Sequence, residues 1–232
     1  MHSTPEQTYE EYVKTTSEGL KGIKRPDDHF RLLQKQYSKS HTEIESVIQA
    51  DGVSLACRAG CNFCCYLKVD VRAIEVFRIV DYLVQKKPHE LPGLKERSAK
   101  HFATIQPLSF MEHIGSNHLC PLNVDGNCTV YDVRPLACRN FHAQRVETCE
   151  YSFEHPTDLE SASSQHPKLE AMGNAALYGI NVAYEESGYD ANTYDLGAAL
   201  HNTFINPKAF KRWRDKKAAF PIQCQAKKPE EG

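Results

Sequence analysis

Long hydrophobic runs are missing from this 232-residue sequence. Its apolar stretches, such as Ile79-Val80 and Tyr82-Leu83-Val84, are interrupted by charge and fall far short of the ~20 residues that a spanning helix needs. The start, Met1-His2-Ser3-Thr4-Pro5-Glu6-Gln7, has neither the basic end nor the apolar core of a secretory leader. An excess of charge is missing too. Against 28 basic residues stand 30 acidic ones, so the net charge of −2 sets up no field that would draw in nucleic acid or anionic lipid. No nucleophile elbow, paired-carboxylate site or phosphate-cradling glycine loop stands out, and there is no internal repeat. Glu75 and Asp81 lie on a predicted helix without a partner pattern. What remains is ordinary: 41% hydrophobic and 25% charged residues, the composition of a globular chain. A soluble cytoplasmic protein is expected, with metal ions as partners and neither membrane nor nucleic acid among them. In a reducing compartment, clustered cysteines point to metal or redox chemistry rather than to structural disulfides.

Helical signals dominate. Thr4 as N-cap, Pro5 at the first helical position, Gln7 closing a capping box and Gly22 as stop predict a helix over Thr4 to Leu20. A second begins near Pro26 with apolar residues at spacings of three and four, a break at Ser38 to Ser40 and a stop at Asp51-Gly52. Ile74, Phe77, Val80 and Leu83 form the stripe of another. Further helices are expected over Pro92 to Ile105, 167–186, 193–204 and 207–218. Strand signals are short, at Leu67 to Val69 and Thr129 to Tyr131, and His113 to Tyr151 reads as irregular around a turn at Asp125-Gly126. The expected fold is mainly α with small β elements, its helices packed around a cysteine-rich metal-binding core. Residues 1–52 would supply N-terminal helices, 53–155 the core and 156–232 a C-terminal helical segment, the three forming one compact unit.

The abundant feature is cysteine, nine in all. Cys57, Cys61, Cys64 and Cys65 form C-x3-C-x2-C-C; Cys120, Cys128, Cys138 and Cys149 form a second group, and Cys224 is left as a free tail thiol. Scattered core cysteines seldom fall four within nine residues. Thiolates are soft donors that select zinc, iron–sulfur clusters or copper(I) over hard cations. Gly60 suits the tight turn such a loop needs. Neighbouring side chains diverge on an extended or helical backbone, so Cys64 and Cys65 are not expected to share one mononuclear ion. Eight thiols therefore predict more than one metal atom.

The pattern continues through Cys120-Pro121-Leu122-Asn123 and Gly126-Asn127-Cys128 into Thr129-Val130-Tyr131-Asp132-Val133-Arg134-Pro135-Leu136-Ala137-Cys138-Arg139-Asn140-Phe141. Over about 57–149 the chain closely resembles the YkgJ-type cysteine-cluster proteins, a zinc- or iron-chelating domain family. One departure is that the family's leucine, expected two residues after Cys-Pro, directly follows Pro121. The resemblance implies chelation of an iron–sulfur cluster or of zinc or iron ions, for redox work or metal handling, and names no common reaction. A related group, the flagellin lysine methylases, resembles an enzyme branch that uses an iron–sulfur cluster.

Pro135 suits a helix start, which would put Cys138 in a first turn whose dipole lowers a thiol's pKa. Arg58, Arg134 and Arg139 can offset thiolate charge or merely be solvated, while Tyr131 and Phe141 are expected to pack around the site. On a continuing helix His142 would share a face with Cys138; it and His118 are secondary candidates for a zinc ligand. Three other functions compete. Cys57, Cys61 and Cys64 look like the cluster loop of radical S-adenosylmethionine enzymes; the alternating strands and helices of that barrel are absent, as is any glycine between Cys65 and Gly93, which leaves a methylase-like iron–sulfur enzyme on a non-barrel scaffold as the alternative. Thiol redox sensing is the second. The third is nucleic-acid binding through Lys208, Lys211, Arg212, Arg214, Lys216 and Lys217, which the slightly acidic net charge argues against.

Overall fold

The computed structural model describes residues 3–161 and 165–229. Its N-terminal half is built from α1 (Pro5–Lys21), α2 (Pro26–Asp51), β1 (Asp70–Val71), α3 (Ala73–Lys86), α4 (Leu91–Ile105) and α5 (Phe110–Ile114). β2 (Asn123–Val124), β3 (Asn127–Cys128), α6 (Leu136–Arg139), α7 (Val146–Glu154), α8 (Pro167–Glu186), β4 (Tyr194–Asp195), α9 (Leu196–Ile205) and α10 (Ala209–Arg214) follow. The fold is thus mainly α with two small antiparallel sheets, β1 with β4 and β2 with β3.

Local chemistry explains most helix ends. Thr4 caps α1, its hydroxyl accepting from Gln7 N at 3.2 Å while the Gln7 side chain accepts from Thr4 N at 3.0 Å. Gly52 stops α2 in the left-handed conformation at φ 63°. α2 runs unbroken through Ser38 to Ser40, because Leu33, Tyr37, Ile44 and Val47 keep one buried stripe going across them. Such packing outweighs the weak helix propensity of serine.

Elements from both ends of the chain share the main core. Tyr12 of α1, Leu33 of α2, Ile79 and Leu83 of α3, Leu94 of α4, Leu200 of α9 and Trp213 of α10 are essentially inaccessible. Each such side chain contributes about 1.5–3 kcal/mol by leaving water. α1 lies close along α8, where a Cβ built on Gly179 would sit 2.7 Å from both Tyr12 Cβ and Tyr9 O. Cys224 belongs to this core: it is buried, its Sγ lies 3.6 Å from Ala198 O, and burial pushes its thiol up to about 12. Cys224 is a free thiol, as expected, but a buried one, because the tail returns to the molecule. Ala226 N donates to Thr193 O, and Lys227 Nζ donates to the carbonyls that close α4.

The short strands fall a few residues from their expected places. The first pairs at Asp70 and Val71 with Asp195 and Tyr194, and residues 131–133 form a 3-10 turn rather than a strand. The stretch from 113 to 151, expected to be irregular, contains most of α7, and α5 precedes it. Among the described residues no helix is long and apolar enough to cross a membrane.

Candidate metal centre

Three pieces of irregular backbone carry seven of the clustered cysteines, and α7 carries the eighth. The first piece turns at Gly60, whose φ of 85° is left-handed, and then enters a 3-10 turn, Phe63–Tyr66, holding Cys64 and Cys65. The second is the β2–β3 hairpin. Asp125 at φ 49° and Gly126 at φ 80° form its two-residue turn, and Asn123 Oδ1 accepts from Gly126 N at 3.1 Å. The third is the run from Tyr131 into α6.

Backbone bonds knit these pieces together. Cys120 N donates to Cys65 O at 2.7 Å and His118 N to Tyr66 O at 3.3 Å. Ala56 N donates to Ala143 O at 2.9 Å, and Ala143 N to Cys57 Sγ at 3.3 Å. Two cysteine groups separated by more than fifty residues therefore lie side by side.

Their grouping in space differs from their grouping in sequence. Cys65, Cys120, Cys128 and Cys138 lie within electrostatic reach of one another, each of the last three feeling Cys65. Cys57, Cys61 and Cys149 form a second set, with Cys149 feeling both of the others. Cys64 stands between the sets, feeling Cys65, Cys138 and Cys57. Within the 3-10 turn the adjacent thiols Cys64 and Cys65 influence each other, the Cys64 pKa being raised and that of Cys65 lowered to about 6.

Burial dominates the other thiols. It raises Cys57, Cys120, Cys128 and Cys149, and pushes Cys138 up to about 12. Cys138 does stand near a helix start, with Pro135 as the cap residue, but α6 is only four residues long. Desolvation overrides so small a dipole, and the expected lowering is corrected. α6 also ends at Arg139, so His142 shares no helical face with Cys138. Burial lowers the His142 pKa to about 4, and the Arg134 charge adds to the lowering.

The arginines separate into distinct tasks. Arg134 lies among the thiols, favouring the charged forms of Cys57, Cys65, Cys128 and Cys138, and it stacks 4.0 Å over the Tyr131 ring. Its buried Nε has no hydrogen-bond partner, and neither has the amide nitrogen of Asn123, whose neighbour is the Cys65 sulfur. Arg139 instead pins the backbone, donating from Nε to Arg134 O at 3.0 Å and from Nη2 to Asp132 O. Arg58 is exposed.

Two features escaped the sequence reading. Glu75 is a buried anchor that accepts from Tyr37 Oη, from Arg72 N at 2.9 Å and from Leu136 N at 3.0 Å, tying α2 and α3 to the start of α6. The only sequence signal was an acid on an otherwise apolar helix face. His101, His113 and His118 gather beside Asp195 and Cys120 around a void of about 10 Å³. His101 Nε2 lies 4.0 Å from Asp195, and desolvation lowers all three imidazoles, His113 to about 4. Of these only His118 had a suggestive spacing.

Among the described residues, no three Cys, His, Asp or Glu side chains are already closed around a point that could hold a metal ion. The donor chemistry nonetheless fits a soft cation. Several half-buried thiols converge where desolvation makes ionising them without a counter-cation costly, and unpartnered N–H groups of Arg134 and Asn123 lie among them.

The family described as "CxxCxxCC: Putative zinc- or iron-chelating domain" matches residues 56–162, which bears out the resemblance carried by the cysteine motifs. Human SUN domain-containing ossification factor is 29% identical over 102 residues, covering 42% of this chain and 8% of that protein. The chain thus spans under a tenth of the length of that relative. No solved structure matches the chain.

Proposed function

We propose, from the premise that residues 56–162 match a zinc- or iron-chelating domain, that this protein holds a polynuclear metal centre, an iron–sulfur cluster or paired zinc or iron ions. Cys57, Cys61, Cys64, Cys65, Cys120, Cys128, Cys138 and Cys149 are its ligands. The single observation carrying this reading is the mutual reach of Cys65, Cys120, Cys128 and Cys138 around the Arg134 charge. When bound, the metal supplies either one-electron chemistry or a structural cross-link, according to its identity. The chain's own residues do the rest. The Gly60 turn and the hairpin present sulfurs from two distant segments. Arg134 and the Asn123 amide offset thiolate charge. Tyr131, although exposed, holds the Arg134 guanidinium against its ring, and Phe141 O lies 3.3 Å from Cys57 Sγ.

Anaerobic purification with metal and acid-labile sulfide analysis tests this. Two or more metal atoms per chain are expected, with a visible absorption band if sulfide is present. A single zinc with neither iron nor sulfide would reject the polynuclear centre. Cys61→Ser or Cys138→Ser should lower metal content and melting temperature together, and unchanged values for both would remove those residues from the ligand set.

The adjacency of Cys64 and Cys65, with the Cys65 pKa lowered to about 6, favours a second reading, a thiol switch, since a thiolate beside a second thiol suits exchange chemistry. A colourless, metal-free chain whose Cys64 and Cys65 resist alkylation after oxidation and regain it on reduction would select that reading.

A further inference from the structure

A mainly apolar hollow opens beside Cys64 and Cys149. It has a volume of about 210 Å³ and is walled by Phe63, Phe141 and Phe153, with Cys64 and Cys149 also lining it. Protein interiors seldom leave voids much larger than one water. This one has the room of about seven liquid waters, yet its walls are mainly apolar. An apolar cavity of ~150 Å³ stays dry and accepts a benzene ring. The hollow is therefore sized for one substituted aromatic ring.

Its walls carry a matching geometry. Phe153 meets Phe63 with centroids 5.9 Å apart at 61°, and Tyr66 at 4.7 Å and 63°, the tilted arrangement that aromatic groups prefer. All three phenylalanines are only half buried, so the rings border open space. Among the described residues, the one charged side chain in its lining is Asp158. Asp158 is held in its charged form by the backbone N–H of Ser161, at 3.1 Å, and accepts from Tyr151 Oη at 3.0 Å. A carboxylate at the edge of an apolar slot favours a ligand with a hydrogen-bond donor.

We propose that this cavity binds a single-ring aromatic molecule carrying a hydroxyl or amino group, its ring among Phe63, Phe141 and Phe153 and its polar end toward Asp158. Binding rests on the cavity alone; the further role, a substrate pocket beside the metal, rests on the metal-centre reading above. The ring would then lie against Cys64 and Cys149, near enough for its arrival to alter the centre they help to hold.

The test uses 4-fluorophenol as probe with the full-length chain, purified anaerobically and with metal measured in the same sample. Fluorine NMR should show saturable binding. Ser152→Phe and Gln165→Trp each add bulk to the cavity lining and should weaken binding at least tenfold while the circular dichroism and metal content of the folded protein stay unchanged. Absence of saturable binding to the folded chain overturns the proposal. So does binding that survives in whichever of the two variants folds, since the probe would then sit elsewhere. A chain that holds metal but ignores the probe leaves the metal reading standing and ends this one. A chain that binds the probe but takes up no metal does the reverse.

Discussion

Arg134 and Arg139 lie five residues apart in one motif yet act on different things. Arg134 puts a positive charge among four thiols, so Arg134→Leu should raise the pH at which those thiols react with an alkylating reagent and should weaken metal retention. Arg139 closes the backbone from Asp132 to Arg134. Arg139→Leu should therefore lower stability first, by about 1–3 kcal/mol for the carbonyls left unpaired, measured by denaturant titration of the metal-free chain. A common effect of both variants on thiol reactivity, with no difference in stability, would contradict this division. From sequence the two were interchangeable basic residues beside cysteines. What separates them is which atoms each guanidinium meets, and that depends on a fold-wide arrangement that residue type does not encode.

Elements built from local rules were the legible ones. The α1 capping box, the Gly52 stop and the Gly60 turn follow from chemistry within a few residues. Gly60→Ala should cost about 1–2 kcal/mol for a side chain forced into left-handed backbone, seen as a lower melting temperature of the metal-free protein. Less legible were α5 and α7, which are short and take their stability from neighbours rather than from a long apolar stripe. The site was half legible. Spacing and motif singled out eight cysteines, but the sets they form in space depend on the hairpin returning Cys128 to Cys65 and on α7 carrying Cys149 to Cys57 and Cys61. Glu75 and the His101–His113–His118 group were invisible for the same reason, because their partners lie dozens of residues away.

Across the whole molecule, buried imidazoles set the acid limit. Burial lowers the pKa of His29, His113 and His142 to about 4, against 6.5 for a free histidine. The unfolded chain binds protons at these sites before the folded one does. Their contribution is complete above about pH 6.5 and is lost as pH falls toward 4. Asp195, raised to about 6 by burial, acts in the opposite sense, since stability from its protonated form fades as pH rises from about 4 to 6. Three groups outweigh one, so the melting temperature should drop on acidification across this window. His29→Gln, which removes one imidazole from the Tyr184, Tyr189 and Trp213 cluster, should make that drop shallower. A profile flat from pH 7 to 4 would show that these side chains are solvated.

The seam between α1 and α8 unites the first helix with one that begins at Pro167. Gly179→Ala would drive a methyl into Tyr12 and the Tyr9 carbonyl and pry that seam apart. The same closeness governs biosynthesis. A ribosome adding about 5–20 residues per second needs on the order of ten seconds after releasing α1 to deliver its partner. Through that interval the face of the nascent helix that carries Thr8, Tyr12 and Thr16 lacks its partner, so the newborn chain should be a client of holding chaperones until α8 has emerged.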